Sequence, residues 1–213
     1  MPKCASRWNG LVDKAKLLDD VRARGDRQTQ LYELHFAPLT AFVERLRSEV
    51  GPDVTIPDFD PWDGGVDADI LYLLEAPGPQ AVASGFISRN NPDETAKNFF
   101  ELNAEAKIPR KRTVTWNVVP WYIGNSKTIR AAKRTDLEQG VHLLPKLLSL
   151  LPKLRAVVFV GRKAEYARET VMEQLPNVKI FTCPHPSPQC LNTNPANRRR
   201  IIEVLGEVAA AIF

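Results

Sequence analysis

The chain has 213 residues, of which 44% are hydrophobic and 25% are charged, a composition typical of a globular protein with a substantial core. Its formal net charge of +4 is compatible with a nucleic-acid partner without requiring one. The cysteines, Cys4, Cys183 and Cys190, are too few for a disulfide framework and suit a reducing cytoplasm. With no signal-peptide pattern and no apolar run near the roughly 20 residues of a membrane span, we expect neither secretion nor membrane insertion.

The N-terminal quarter of the chain is predicted to be helical. Between residues 11 and 50, apolar residues recur mostly at every third or fourth position. Residues 56–65 follow, and their Pro, Asp and Gly are typical of a loop, although Phe59 and Trp62 are apolar enough to pack inward. We interpret residues 1–213 as a single domain, with residues 1–54 as a helical part packed on the rest.

Four short apolar runs alternate with helix-like segments in the remainder of the chain. Most of these runs are continuous rather than alternating, which favours strands covered on both faces. The runs are Ile70–Leu74, Thr113–Trp116, Ala156–Val160 and Lys179–Thr182. Helices are predicted over residues 93–106, 136–151, 163–174 and 195–212. Strands that alternate with helices predict an α/β fold of three α/β/α layers, with a central four-stranded parallel sheet.

Polar side chains follow three of the four predicted strands. Glu75 comes directly after the first run, Asn117 directly after the second, and His185 lies between prolines just beyond the fourth. Because ligands of open parallel sheets bind beyond the carboxyl ends of the strands, we expect these three side chains to converge. Taken singly, Glu75 could cap backbone amides, Asn117 could form a turn and His185 could belong to a stiff loop. Together they indicate a functional site.

At these residues the sequence resembles the uracil-DNA glycosylase superfamily over about residues 55–205. The motif Leu74-Glu75-Ala76-Pro77-Gly78 is similar to the Gly-Glu-Ala-Pro-Gly of the branch that carries an iron–sulfur cluster, with Leu74 in place of the first Gly. The motif His185-Pro186-Ser187-Pro188 matches the His-Pro-Ser-Pro loop of the common uracil-DNA glycosylases. Asn117 stands where the superfamily places its uracil-reading Asn, and Phe86 lies at about the spacing of the ring that stacks on uracil.

The resemblance implies an enzyme that flips uracil out of DNA and hydrolyses its N-glycosidic bond to deoxyribose, leaving an abasic site. Glu75 and His185 are the implied catalytic residues: the carboxylate holds a water, and the imidazole donates a hydrogen bond to the departing base. The implied base-binding residues are Ala76, Gly78, Phe86 and Asn117. The candidate DNA-binding residues are Ser84, Arg89, Asn91, Ser187, Gln189 and Leu191. Among the residues after the His-Pro-Ser-Pro loop, Leu191 is the apolar candidate for a wedge between base pairs.

The implied partner is uracil-containing DNA, single- or double-stranded, and we expect a monomer without membrane association, on the nucleoid if the source is bacterial. An iron–sulfur cluster of the similar branch needs four cysteines. This chain has three cysteines and no Cys-x-x-Cys, so we expect no cofactor and no metal. Cys183, His185 and Cys190 also lack the spacing of a standard zinc site. The basic stretches at residues 110–112, 127–134 and 198–200 are more simply interpreted as solvated surfaces than as DNA contacts.

Two departures from the superfamily pattern leave alternatives open. The Asp that orients the attacking water in the commonest family falls at Ala76, so either Glu75 takes that role or the protein binds DNA, or traps its product, without turnover. The bulky Tyr that blocks thymine in that family falls at Gly78. An open pocket there favours, as a further alternative, a glycosylase for another deaminated base such as hypoxanthine or xanthine.

Overall fold

The computed structural model describes residues 7–8, 10–125 and 129–213; Cys4 and residues 127–128 of the second basic stretch lie outside the described residues. The strands are β1 (Arg7–Trp8), β2 (Leu11–Val12), β3 (Asp58–Phe59), β4 (Ile70–Leu74), β5 (Phe86–Ile87), β6 (Thr113–Asn117), β7 (Ala156–Val160) and β8 (Lys179–Cys183). The α-helices are α1 (Val21–Gln30), α2 (Ala37–Val50), α3 (Pro79–Ser84), α4 (Glu94–Glu105), α5 (Arg134–Leu148), α6 (Arg168–Gln174), α7 (Pro188–Thr193) and α8 (Ala196–Ile212). Within these residues, no helix combines the length and hydrophobicity that crossing a membrane would require.

The four predicted strands form one parallel sheet in the order β6-β4-β7-β8. The predicted α/β fold is therefore confirmed. At the carboxyl edge of the sheet Leu74 pairs with Asn117, and Val160 pairs with Cys183. Because these pairs lie at the strand ends, the residues that follow β4, β7 and β8 emerge together with Asn117 at one edge.

The sheet separates two apolar cores, which explains its continuous hydrophobic runs. Along β4, Leu71 and Leu73 face the larger core, whereas Ile70 and Tyr72 face the smaller one. Helices α2, α5 and α6 contribute side chains to the larger core, and α4 and α8 contribute to the smaller one. Each strand is thus covered by helices on both faces, as parallel sheets require.

The N-terminal part differs from the prediction of continuous helix between residues 11 and 50. Residues 11–12 form a strand, and α1 begins only at Val21, where the Asp20 side chain accepts a hydrogen bond from the Arg22 N–H at 2.8 Å. An Asp that caps backbone N–H groups favours a helix start at that point. Helix α2 packs on the sheet through Phe42, whose ring meets that of Trp116 edge-on at 6.2 Å.

Within residues 56–65, for which the sequence predicts a loop, β3 forms a small parallel sheet with β5. Within it, Phe59 stacks on Trp116 with ring centroids 3.8 Å apart. Trp62, just beyond β3, is fully buried, as its apolar character indicated. This small sheet places residues 88–91, which follow β5, near the carboxyl edge of the main sheet.

Candidate functional site at the strand ends

A cleft of about 510 Å³ lies at the carboxyl edge of the main sheet. Glu75, Asn117 and His185 all line it. These residues are far apart in sequence, and they meet because β4, β6 and β8 run in the same direction. The structure therefore brings together the carboxylate, the amide and the imidazole that the strand ends suggested.

The half-buried Glu75 carboxylate is held by the backbone of a segment that lines the cleft. Its Oε1 accepts a hydrogen bond from the Ala132 N–H at 2.6 Å. The donor comes from the segment before α5, which is distant from Glu75 in the sequence. An N–H directed at a carboxylate fixes its orientation.

Asn117 is the last residue of the edge strand β6 and is 3% exposed. Within the described part of the chain its side-chain amide has no hydrogen-bond partner. An amide carries one acceptor oxygen and two N–H donors. An unpaired amide that lines a cleft is suited to a ligand that offers both an acceptor and a donor.

His185 belongs to a loop that is fixed from two sides. The Asn98 side chain of α4 donates a hydrogen bond to the Pro186 carbonyl at 2.9 Å, and Ser187 caps α7 by accepting from the Cys190 N–H. Burial lowers the pKa of His185 below the 6.5 of a free imidazole. The imidazole is therefore neutral at neutral pH, and a neutral ring has one N–H to donate.

Gly161, directly after β7, packs against His185 and has a positive φ of +88°. A Cβ at this position would lie 3.2 Å from the His185 Cβ. We expect Gly161→Ala to lower the free energy of unfolding by about 1–2 kcal/mol, because an L side chain is strained at positive φ, and to displace the imidazole. Urea denaturation and the NMR shifts of His185 measure the two effects.

The matched control for this variant is Gly206→Ala in α8, where an added Cβ would meet no atom within 4 Å. Alanine is favoured over glycine inside a helix by about 0.5–1 kcal/mol, so this change should stabilise the protein and leave the His185 signals in place. Unchanged His185 shifts in Gly161→Ala would contradict the close packing.

Comparison with known proteins places the chain in a family. The family model of the uracil DNA glycosylase superfamily matches residues 61–207, which include the whole of the main sheet and all three cleft residues named above. The chain belongs to the uracil DNA glycosylase superfamily. Membership indicates a DNA glycosylase, a hydrolase of N-glycosidic bonds whose partner is DNA.

Among solved structures, wild-type SMUG2 from Pedobacter heparinus is similar with a TM-score of 0.51 and 14% sequence identity, covering 82% of this chain and 83% of that chain. A candidate uracil DNA glycosylase from Methanosarcina acetivorans, solved by NMR in solution, has a TM-score of 0.46 and 16% identity, covering 67% of this chain and 92% of that chain. The likeness to SMUG2 is a likeness of fold. No curated protein sequence matches the chain.

Besides Asn117, two further base-binding residues implied by resemblance to the uracil DNA glycosylases, Ala76 and Gly78, line the cleft. Gly78 has extended backbone angles, φ −81° and ψ 170°, before α3. A Cβ at Gly78 would meet no atom within 4 Å. The cleft is therefore open at the position where the commonest family of the superfamily has a bulky side chain.

The prediction that Phe86 stacks on a base is wrong for this structure. Phe86 is fully buried in the larger core and does not line the cleft. Its neighbour Ile87 lines the cleft instead, because successive strand residues point to opposite faces. The aromatic ring in the cleft lining is Phe99 of α4, which meets Tyr72 edge-on at 4.8 Å.

Three predicted DNA contacts are turned inward. Ser84 donates a hydrogen bond to the Asn91 side chain at 2.7 Å, and Asn91 donates to the Phe86 carbonyl at 2.9 Å. Arg89 donates to the Thr113 hydroxyl. Ser84, Arg89 and Asn91 are 7%, 4% and 4% exposed. Arg89 and Asn91 also line the cleft, but the low exposure and internal hydrogen bonds of all three residues do not fit the prediction that they hold a DNA strand.

The residues after His185 divide between the cleft and the core. Ser187 and the exposed Gln189 line the cleft, whereas Leu191 packs against the smaller core. The packing of Leu191 does not fit the wedge prediction, and Gln189 is the residue of α7 that reaches the cleft rim. In the described part of the chain, no group of three or more His, Cys, Asp or Glu is placed to hold a metal ion.

Proposed function

We propose that this protein removes uracil from DNA by hydrolysing the N-glycosidic bond between the base and deoxyribose, leaving an abasic site. One observation carries the proposal: Glu75, Asn117 and His185, from three separate strand ends, line a single cleft. The family supplies the reaction class, and the chemistry of these three side chains supplies the base.

Asn117 is the base-reading residue in this proposal. A base stacked in a duplex is out of reach, so the nucleotide flips into the cleft, which costs a few kcal/mol and least at mismatched or single-stranded sites. Ile87 and Phe99 provide an apolar wall for the flat ring. The Asn117 amide donates to uracil O4 and accepts from N3–H, whereas cytosine presents an amino group and an unprotonated nitrogen there. A mismatch would leave buried polar groups unpaired, which discriminates strongly.

Glu75 and His185 act on the two charges that develop as the bond breaks. The electron pair of the N-glycosidic bond leaves with the base, and the sugar becomes cationic. The neutral His185 imidazole donates a hydrogen bond to uracil O2, where negative charge grows. The Glu75 carboxylate stabilises the cationic sugar and orients a water. The water oxygen bonds to the sugar carbon and loses a proton, and the departing base gains one.

The proposal is tested by incubating the protein with an end-labelled oligonucleotide that carries one uracil. Alkali then cleaves the strand at any abasic site. We expect the wild-type protein to release uracil over many turnovers and to leave otherwise identical cytosine and thymine strands intact. His185→Ala should reduce release by about 10²–10³-fold, the usual loss for one donor at a developing charge. Retention of the DNA without release of any base would instead favour a binding or product-trapping module.

The open space at Gly78 favours a second candidate, release of another deaminated base such as hypoxanthine or xanthine. We expect Gly78→Tyr to fold, because its backbone is extended and a Cβ there meets no atom within 4 Å. The added ring should lower kcat/KM for hypoxanthine or xanthine relative to uracil by about tenfold or more. Gly25→Tyr, in α1 and away from the cleft, is the control. An unchanged ratio in Gly78→Tyr would exclude Gly78 as a gate for base size.

A further inference from the structure

Ala132 is held on both sides of its backbone by groups from neighbouring strands. Its N–H donates to Glu75 Oε1 at 2.6 Å, and its carbonyl accepts from Lys163 Nζ at 2.9 Å. Glu75 follows β4 and Lys163 follows β7, and these strands are adjacent in the sheet. Ala132 itself is 2% exposed. The two contacts place this residue between a candidate catalytic carboxylate and a lysine ammonium.

Ala132 belongs to a strap, residues 129–133, that forms one wall of the cleft before α5 begins. Ile129, Arg130 and Ala131 line the cleft. On its helix side the strap is tied to Asp136, which pairs with Arg130 at 2.5 Å and accepts from the Lys133 N–H at 2.7 Å. On its sheet side the strap is tied through Ala132 to Glu75 and Lys163.

We propose that Lys163 is a positioning residue for the proposed reaction, which it serves by fixing the Ala132 backbone that orients Glu75. Lys163 does not line the cleft, so it acts through this peptide rather than on the substrate. The Lys163 ammonium donates its hydrogen bond to the Ala132 carbonyl of the strap. Without this bond, the strap is still anchored to Asp136 on its helix side, but its backbone can shift at Ala132. A shift of about 1 Å in a reacting group is enough to lower a rate by about 100-fold.

A second lysine provides a matched control. Lys179 Nζ also donates to a backbone carbonyl, that of Ala211, at 2.9 Å. The donor, acceptor and distance are the same as for Lys163, but the Ala211 peptide lies in α8, away from the cleft. A general contribution of such bonds to stability would appear equally in Lys163→Met and Lys179→Met. Only the Lys163 bond is expected to affect Glu75.

The first experiment rests on the proposed function and measures uracil release. Lys163→Met should lower kcat by about tenfold with KM for DNA nearly unchanged, since the bond orients a reacting group rather than binding substrate. Lys163→Arg, which retains a donor and a charge, should restore most of the rate. In a Glu75→Gln background, Lys163→Met should have no further effect, because residues that act through one another are not additive. A loss of equal size in both backgrounds would overturn the proposal.

The second experiment needs no activity. Native-state hydrogen exchange of the Ala132 amide, followed by NMR, reports whether the N–H that binds Glu75 remains protected. Lys163→Met should lower its protection by about tenfold or more, and Lys179→Met should leave it unchanged. Unchanged protection in Lys163→Met would overturn the positioning role. Reduced protection in a protein that releases no uracil would overturn the proposed function alone.

Discussion

Glu75→Gln is expected to lower kcat for uracil release by about 10³-fold, within the range found when a positioned acid–base group is removed. The amide has nearly the shape of the carboxylate, and its oxygen can still accept the hydrogen bond that Ala132 donates to Glu75 at 2.6 Å. The substitution thus removes the negative charge with little effect on the fold. Because that charge opposes the positive sugar only in the transition state, KM for DNA should change little.

Glu173→Gln is the control, since Glu173 lies on the exposed surface of α6 outside the cleft. Single-turnover rates with excess enzyme separate bond cleavage from product release. The double variant Glu75→Gln with His185→Ala should lose less than the product of the two single losses, because both side chains act on the same bond. A Glu75→Gln protein that keeps more than about a tenth of the wild-type kcat would show that Glu75 is not the group that stabilises the sugar.

The sheet and its functional edge could be predicted from the sequence because parallel strands carry a strong local signal. Ile70–Leu74 and Ala156–Val160 read as continuous apolar runs since helices cover both faces. The positions of Glu75, Asn117 and His185 in one cleft then follow from the shared strand direction. Their placement at this edge does not depend on the details of side-chain packing.

Details within a few residues could not be predicted, because they depend on tertiary contacts. In the two-residue strand β5, Phe86 faces the core and Ile87 faces the cleft, and no sequence pattern that short sets the register. The support of Glu75 by Ala132 joins residues 57 positions apart. Nothing in the residues near either one indicates that contact.

The burial of charged side chains could not be predicted from the sequence either, because charged residues are almost always exposed unless they are paired. The sequence indicates solvated surface for the basic stretch at residues 110–112. Arg110 instead lies in a buried ion network, where it pairs with Asp60 at 2.6 Å and with Asp63 at 2.9 Å. Arg27 of α1 pairs with Asp60 at 2.8 Å and lies 3.3 Å over the Trp62 ring. The partners come from distant parts of the chain.

This network connects the N-terminal helices to the cleft. Asp60 is fully buried between Arg27 and Arg110, and it also accepts a hydrogen bond from Ser88, which lines the cleft. Asn90, in the same loop as Ser88, accepts from Arg27 at 3.0 Å. The buried ion pairs therefore hold the wall of the cleft that Ser88 belongs to. Removal of one charged side chain from such a cluster leaves the remaining buried charges without their counter-charge.

Asp60→Asn is accordingly expected to lower the free energy of unfolding by about 3–5 kcal/mol, because two buried guanidinium groups lose their shared carboxylate. For a chain of this size that corresponds to a fall in Tm of roughly 6–20 °C. Asp67→Asn is the control, since Asp67 pairs with Lys153 at 2.7 Å on the surface and both side chains are more than half exposed. Surface pairs contribute little, so this variant should melt close to the wild type.

The pH dependence distinguishes loss of charge from loss of packing. Burial alone would raise the pKa of Asp60, but Arg110 and Arg27 more than offset it and hold that pKa below its ordinary value. A carboxyl whose pKa is lower in the folded state stabilises the protein above its unfolded pKa of about 3.9 and loses that contribution as pH falls further. The stability difference between wild type and Asp60→Asn should be largest near neutral pH and shrink below about pH 4, as urea titrations would measure. A difference that stayed constant down to acid pH would assign the effect to altered packing instead of charge.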